Sequence, residues 1–138
     1  MVIPRFFKFA LKNEPIPVYG DGEQIRCFTY MEDAIDIIIK LTENDAANGE
    51  VINLGSHNQI SIKDLAESVK RITKSSSKIV FEPYQKYYGK SFQDIKKRVP
   101  DLSKLEKIAG VVPKTTLEEI LKKMNEYYKE NPSELERI

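Results

Sequence analysis

The sequence is poor in the side chains that bind metals or form disulfides. Its 138 residues include one cysteine, one histidine and no tryptophan. A disulfide needs two cysteines, so the lone Cys27 excludes an intrachain disulfide, and it also excludes a multi-cysteine metal site. His57 lies in the polar cluster SHNQ, where a solvated loop histidine is a better interpretation than a ligand or a base. We therefore predict no metal site.

The sequence also lacks an excess of charge of one sign and any long apolar run. Its 22 Lys plus Arg balance 21 Asp plus Glu, so no net field draws it toward nucleic acid or an anionic membrane. No apolar run approaches the length of a membrane span, since even the isoleucine-rich stretch at residues 35–39 is interrupted by Asp36, and no segment has the layout of a signal peptide. We expect a single domain over residues 1–138, located in the cytoplasm.

The most informative stretch covers residues 16–33. An apolar run at 16–19 predicts a strand, Gly20 and its neighbours predict a turn, and alternation over 24–30 predicts a second strand. Together these segments predict a hairpin that carries Arg26. Arg26 is either an ordinary solvated arginine or part of an anion site, because a guanidinium on a rigid strand beside aromatic rings can pair with a phosphate.

Apolar residues recur at helical spacing in five segments, which predicts helices over residues 2–12, 31–41, 62–73, 102–109 and 117–130. Ser61 opens a capping-box variant before the third helix, and Thr115 or Thr116 caps the last one. Further short strands are predicted at 51–54 and 79–81. The predicted fold class is therefore α/β, as a mixed α+β lobe of short strands interleaved with helices.

Two apolar stripes lead to further expectations. Phe6 and Phe7 lie almost at the first residue, which indicates that an upstream segment is missing and that this exposed stripe promotes self-association. The stripe over residues 31–41 predicts a helix that faces the core. Residues 51–54 are expected to form a buried strand.

Residues 84–98 combine aromatic and basic side chains without a sustained period. Three interpretations are open: a single-stranded nucleic-acid site, a loop folded over a nucleotide, and a surface loop with its tyrosines packed down. The residues concerned are Tyr84, Tyr87, Tyr88 and Phe92 together with Lys86, Lys90, Lys96, Lys97 and Arg98.

The chain resembles the C-terminal part of the NAD-dependent epimerase/dehydratase family, the extended short-chain dehydrogenases that act on nucleotide-diphosphate sugars. Three motifs carry the resemblance, in the family's order and at similar spacing: PVYGDGEQIRCFTYMEDAIDIIIKL, GEVINLGSHNQISIKDLAESV and RVPDLSKLEKIAGVVPKTTLEEILKKMNEYY. The resemblance extends from the helix at Val2 to about Lys129. Many members have aspartate after the arginine, where this chain has Cys27.

The resemblance implies a nucleotide contact from the first motif. Tyr19 matches an aromatic residue that lies against the nucleotide base, and Val18 beside it matches a residue that contributes backbone contacts. Gln24 is a weaker candidate for a contact with the substrate, as is the backbone near Val2 and Ile3.

The resemblance also implies a grip on the diphosphate. Arg26 matches one diphosphate-binding arginine, and Arg98, in RVPD, matches a second. Asp101 matches a residue that contacts the nucleotide ribose or holds the arginine. Two forked guanidinium groups on either side of a diphosphate would neutralise its charge and hold the sugar at a fixed depth.

Two features of the family are missing from this sequence. No glycine-rich dinucleotide-binding turn follows a strand, and no tyrosine is followed by a lysine four positions later. The resemblance therefore implies a fragment without catalytic residues, inactive alone. Its expected partners are a UDP-, dTDP- or GDP-linked sugar and a missing N-terminal Rossmann domain, with NAD as cofactor of the full-length isomerase or lyase. The alternative is a stand-alone nucleotide-binding or regulatory module.

Overall fold

Helices alternate with short strands in the computed structural model, which describes residues 1–89 and 94–138 apart from the side chain of Tyr88. The helices in these ranges are α1 (Val2–Leu11), α2 (Met31–Thr42), α3 (Ile62–Thr73), α4 (Gln85–Tyr88), α5 (Ser103–Ala109), α6 (Leu117–Glu130) and α7 (Ser133–Glu136). The strands are β1 (Ile16–Tyr19), β2 (Ile25–Cys27), β3 (Gln59–Ser61) and β4 (Ile79–Glu82). The predicted mixed α/β class is confirmed. None of the described helices has both the length and the apolar character needed to span a bilayer.

Local capping sets one end each of α3, α5 and α6. The Ser61 hydroxyl accepts a hydrogen bond from Asp64 N (3.0 Å) at the start of α3. Thr116 and Glu119 form a reciprocal capping box at the start of α6, which satisfies backbone donors that have no partner within the helix. Gly110 ends α5 in the left-handed region, with φ +66°. The predictions for these ends are confirmed.

The main core is formed by α1, α3, β1 and α6. Phe6 and Phe7 of α1 are 1% and 0% exposed, and the ring of Phe7 packs against that of Tyr128 in α6, with centroids 5.6 Å apart. The expectation that these phenylalanines lack cover was wrong, because α3 and α6 of this chain bury them. Self-association through this stripe loses its basis for the same reason.

The strands pair in two separate sheets rather than in the predicted hairpin. β1 lies parallel to β4, with Val18 opposite Phe81, whereas β2 lies antiparallel to β3, with Arg26 opposite Ile60. After the turn the chain leads into the second sheet, and the Gly22 carbonyl accepts a hydrogen bond from Lys63 N (3.0 Å) at the start of α3. The second strand is accordingly shorter than predicted.

The expectations for α2 and residues 51–54 were also wrong. Only Ile37 of α2 is buried, in a small second cluster with Leu102 and Leu105 of the α5 region, whereas Ile35, Ile38 and Ile39 on the same helix are 47–51% exposed. Residues 51–54 form no strand, and Val51 is 84% exposed. The apolar pattern was present, but no described segment covers this face.

The segment after β4 contains the short helix α4, which sequence spacing did not predict. Lys90 and Phe92, which were part of the aromatic and basic segment in the sequence analysis, lie outside the described residues. The chain then runs beside β2, where Ile25 and Lys97 form a parallel bridge. This pairing brings the second half of the aromatic and basic segment next to Arg26.

Candidate functional site

Two arginines that are far apart in the sequence lie on one cleft. Arg26 is the central residue of β2. Beside it, Ile25 N donates to the Lys96 carbonyl (2.7 Å), and Arg98 N donates to the Ile25 carbonyl (3.1 Å). Both arginines line an open cleft of about 880 Å³, a volume typical of small-molecule sites.

The cleft draws its lining from α1, β1, β2, residues 53–55 and residues 98–101. Its charged side chains are those of Arg5, Arg26, Asp94, Arg98 and Asp101. Because three of these five are cationic and one aspartate is already paired with Arg26, the lining favours an anionic ligand. The other lining residues are Met1, Val2, Phe6, Pro17, Tyr19, Gln24, Cys27, Phe28, Thr29, Asn53, Leu54, Gly55, Ile62, Tyr84, Val99 and Pro100.

Arg26 is held in place on one side of its guanidinium group. Nη1 donates to the carbonyls of Ile25 and Ile95, each at 2.8 Å. Nη2 donates to Oδ1 of Asp94 at 2.7 Å, and the two side chains are only 17% and 23% exposed. A partly buried guanidinium with this many acceptors has little freedom to move.

Arg98 is exposed and contrasts with Arg26. Its backbone is fixed beside β2, but within the described ranges no acceptor pairs with its guanidinium. Of these two arginines, Arg26 is therefore anchored by the protein, and Arg98 is available to a ligand.

Tyr19 lies among aromatic and cationic groups at the end of β1. Its ring centroid is 4.6 Å from that of Tyr87 and 6.4 Å from that of Tyr84. The Arg5 guanidinium of α1 lies over the Tyr19 ring, 4.9 Å from its centroid, which is a cation–π distance. Tyr19 and Arg5 together form a flat, polarisable wall of the cleft.

Gln24 links Tyr19 to the anchor of Arg26. Its Nε2 donates to the Tyr19 carbonyl (3.2 Å) and to the Tyr84 hydroxyl (2.7 Å), and the Tyr84 hydroxyl in turn donates to Oδ2 of Asp94 (2.8 Å). Burial, and then the hydrogen bond to Asp94, raise the pKa of Tyr84 well above its ordinary value. Tyr84 therefore stays protonated and keeps donating throughout the neutral range.

Val18 and Asp101 occupy different surroundings from the other candidates. Val18 is fully buried in the main core and is not among the residues that line the cleft. Asp101 is exposed and lines the cleft, while its Oδ1 accepts a hydrogen bond from Ser103 N (2.9 Å) at the start of α5. That bond from Ser103 lowers the pKa of Asp101, so its carboxylate is ionised at neutral pH.

Cys27 follows Arg26 and also lines the cleft. Burial raises the pKa of its thiol, against a smaller opposing effect of Lys97. The thiol is therefore neutral at neutral pH, and it does not supply the negative charge that an aspartate at this position would bring.

Sequence reasoning missed three residues of this site. Arg5 lies outside the apolar stripe of α1, and nothing in its spacing indicates that β1 passes beside it. Tyr84 was noted only as part of an aromatic and basic segment. Asp94 did carry a signal, because it is the one acidic residue among residues 84–98, and an isolated acid among cations is a candidate ion-pair partner.

The sequence comparisons place the chain among enzymes of nucleotide sugars. The family model described as GDP-mannose 4,6 dehydratase matches residues 1–124. The UDP-N-acetyl-alpha-D-glucosaminuronate decarboxylase of Bacillus cytotoxicus is 41% identical over 129 residues, which cover 94% of this chain and 40% of that protein.

Solved structures agree with the sequence matches. The UDP-glucose 4-epimerase of Thermotoga maritima, solved with UDP-glucose, superposes with a TM-score of 0.84 at 28% identity, covering 96% of this chain and 40% of that one. The UDP-glucuronic acid 4-epimerase of Bacillus cereus, solved with NAD, gives a TM-score of 0.79 at 29% identity, covering 94% and 39%. The chain thus spans about 40% of the length of these relatives. It belongs to the NAD-dependent epimerase/dehydratase family of nucleotide-sugar enzymes.

Proposed function

We propose that this chain binds the nucleotide-diphosphate part of a nucleotide sugar in the described cleft, as the C-terminal portion of an NAD-dependent sugar epimerase, dehydratase or decarboxylase. The observation that carries the proposal is that Arg26 and Arg98 line the same cleft as Tyr19. Charge-assisted hydrogen bonds from guanidinium groups match the geometry of phosphate oxygens. UDP is the first ligand to test, because the named relatives above act on UDP-sugars.

In this proposal, different residues of the cleft contact different parts of the ligand. The anchored Arg26 provides a fixed donor to the diphosphate, and the exposed Arg98 closes on it from the adjacent segment. The Tyr19 ring, which Arg5 and Tyr87 hold in place, borders the part of the cleft proposed for the base. Asp101, which is ionised and exposed on the same cleft, would accept a hydrogen bond from a ribose hydroxyl.

The described residues do not fit NAD. An NAD pyrophosphate is bound where a glycine-rich turn leads from a strand directly into a helix N-terminus. Here the turn at Gly20 and Gly22 leads from β1 into β2 instead. NAD and the catalytic tyrosine and lysine would therefore come from another part of the full-length enzyme, and this chain alone would not catalyse.

The uncovered apolar face supports the proposed partner, a dinucleotide-binding half. Ile35, Ile38 and Ile39 of α2 are each about half exposed, and Val51 is almost fully exposed. An apolar face of this kind is typical of a surface that another domain covers. Residues 51–54 have no strand partner in the described ranges, although Ile52 and Leu54 pack against the cluster of Ile37, so this segment could pair with a sheet of that half. The cytoplasmic location stays a prediction.

The interpretation of residues 84–98 as a nucleic-acid site has less support. The Tyr84 hydroxyl is committed to Asp94, and the Tyr87 ring packs on Tyr19 while its hydroxyl donates to Glu82 (2.6 Å). Single-strand binding requires aromatic faces that successive bases can stack on. These two tyrosines are instead part of the protein's own packing.

Calorimetric titration with UDP, dTDP and GDP tests the proposed function. Arg26→Ala and Arg98→Ala should each weaken UDP binding by about tenfold to a hundredfold, which corresponds to the loss of one charge-assisted contact of about 1.5–3 kcal/mol. Arg71→Ala is the matched control, because Arg71 is an exposed arginine of α3 outside the cleft. Equal UDP affinities for all three variants would contradict the proposal.

A further inference from the structure

The hydrogen bonds of Arg26 leave part of its guanidinium unused. An arginine has five N–H donors. Three of those of Arg26 have protein acceptors: both on Nη1, which bind the Ile25 and Ile95 carbonyls, and one on Nη2, which binds Asp94. The Nε–H and one Nη2–H are left without an acceptor among the described residues. Arg26 can therefore keep its protein contacts and still donate twice to a ligand.

Asp94 is held more firmly than an ordinary surface carboxylate. Besides the bond to Arg26, its Oδ1 accepts from Ile95 N (2.8 Å) and its Oδ2 accepts from the Tyr84 hydroxyl (2.8 Å). Tyr84 is fixed in turn by the hydrogen bond from Gln24. Its ring lies so close to the Cα of Gly20 that a side chain at that position would collide with it.

These contacts form a series of interactions that leads from Gly20 to Arg26 in the cleft. Gly20 provides space for the Tyr84 ring, Tyr84 and the Ile95 amide orient the two oxygens of Asp94, and Asp94 orients Arg26. Gly20, Tyr84 and the Ile95 amide can affect ligand binding through Arg26 without touching the ligand. A donor fixed before binding loses less conformational entropy when the ligand arrives.

We propose that Asp94 and Tyr84 are positioning residues, which hold the Arg26 guanidinium so that its two remaining donors face a diphosphate in the cleft. This inference rests on the proposed function and adds a cause for the orientation of Arg26. Asp94 is not a competitor that the diphosphate must displace, because the contacts of Arg26 with the protein and with the ligand use different N–H groups.

Charge alone predicts the opposite result from positioning, which makes Asp94→Asn a decisive variant. Removing a negative charge near an anion site should tighten anion binding if only Coulomb forces act. Positioning predicts that Asp94→Asn weakens UDP binding by about tenfold, since a misplaced donor loses about one charge-assisted hydrogen bond. Tyr84→Phe keeps the net charge and should weaken UDP binding by about threefold to tenfold.

The binding experiment compares UDP with uridine, which lacks the diphosphate. Both variants should weaken UDP binding and leave uridine binding as in the parent. Tyr127→Phe and Glu118→Gln are the matched controls, because both residues lie on α6 and outside the cleft. If Asp94→Asn tightened UDP binding or left it unchanged, or if UDP and uridine lost affinity equally, the positioning role would be wrong.

A second measurement needs no ligand and separates this inference from the proposed function. The NMR signals of the Arg26 Nη–H groups, assigned by their loss in Arg26→Lys, should exchange with water about tenfold faster in Asp94→Asn than in the parent, because Asp94 accepts its hydrogen bond from Nη2 and the loss of one hydrogen bond costs about 1 kcal/mol. An unchanged exchange rate would overturn the inference even if UDP binds. If the exchange rate rises but the parent does not bind UDP, the support of Arg26 stands and the proposed ligand is wrong.

Discussion

Replacing Gly20 with alanine adds one methyl group and tests whether the position of the Tyr84 ring depends on the space at Gly20. Gly20 has φ +70°, and a Cβ built on it would overlap Cε2 of Tyr84 and lie 3.0 Å from Cδ2 of the same ring. The Tyr84 ring cannot stay where it is, and its hydroxyl would move away from Gln24 and Asp94. Gly49 is the matched control, since it has φ +75° but no atom within 4 Å of the same position.

The expected costs follow from these two environments. Alanine in the left-handed region costs about 1 kcal/mol at either glycine. At Gly20 the displaced ring also loses two hydrogen bonds, which contribute about 1 kcal/mol each. We therefore expect the free energy of unfolding to fall by about 3 kcal/mol in Gly20→Ala and by about 1 kcal/mol in Gly49→Ala.

Urea unfolding followed by far-UV circular dichroism measures both costs. In a Tyr84→Ala background the cost of Gly20→Ala should fall to that of Gly49→Ala, because the colliding ring is gone and the two sites no longer interact. The reasoning would be refuted if Gly20→Ala and Gly49→Ala cost the same in the parent chain. It would also be refuted if removal of the Tyr84 ring left the cost of Gly20→Ala unchanged.

Two further predictions concern α2. Asp33→Asn should lower the free energy of unfolding by about 1–2 kcal/mol at neutral pH, because the carboxylate accepts hydrogen bonds of 2.8–3.0 Å from Lys114 and Thr115. Burial raises the pKa of Asp33, but these hydrogen bonds outweigh burial and leave the pKa below its ordinary value. The stabilisation is therefore present above about pH 4 and is lost as the pH falls through the lowered pKa. Urea midpoints that depended on acidic pH as strongly in the variant as in the parent would contradict this. Ile37→Ala should cost about 2–4 kcal/mol, whereas Ile38→Ala should cost no more than about 0.5 kcal/mol, since the two side chains are 3% and 50% exposed. Similar urea midpoints for these two alanine variants would mean that the exposed face of α2 is wrongly assigned.

The sequence by itself determined the five longer helices, because their signals lie within a few residues of one another, whereas the short helices α4 and α7 were not predicted. Ser61 with Asp64, and Thr116 with Glu119, are each three positions apart, and a capping interaction needs nothing from the rest of the chain. Helical periodicity likewise found the buried stripes of α3 and α6. The strands at 16–19 and 79–81 were also found, although their partners were not.

Only the tertiary structure decided which segments meet. Backbone pairing joins residues distant in sequence, so neither the parallel pairing of β1 with β4 nor the approach of Arg98 to β2 has a local signal. From its spacing alone, Arg26 was better interpreted as an ordinary solvated arginine. What distinguishes Arg26 is its ion pair with Asp94, which Tyr84 orients in turn, and only the tertiary structure shows these contacts.

The same distinction explains the errors on the apolar segments. An apolar stripe predicts that burial of one helix face is favourable, but it does not identify the segment that buries that face. In α1 the cover comes from α3 and α6 of this chain, whereas most of the α2 stripe has none among the described residues. Burial is a property of the whole arrangement, since it depends on every segment that reaches a surface, and local sequence determines only which surfaces gain from it.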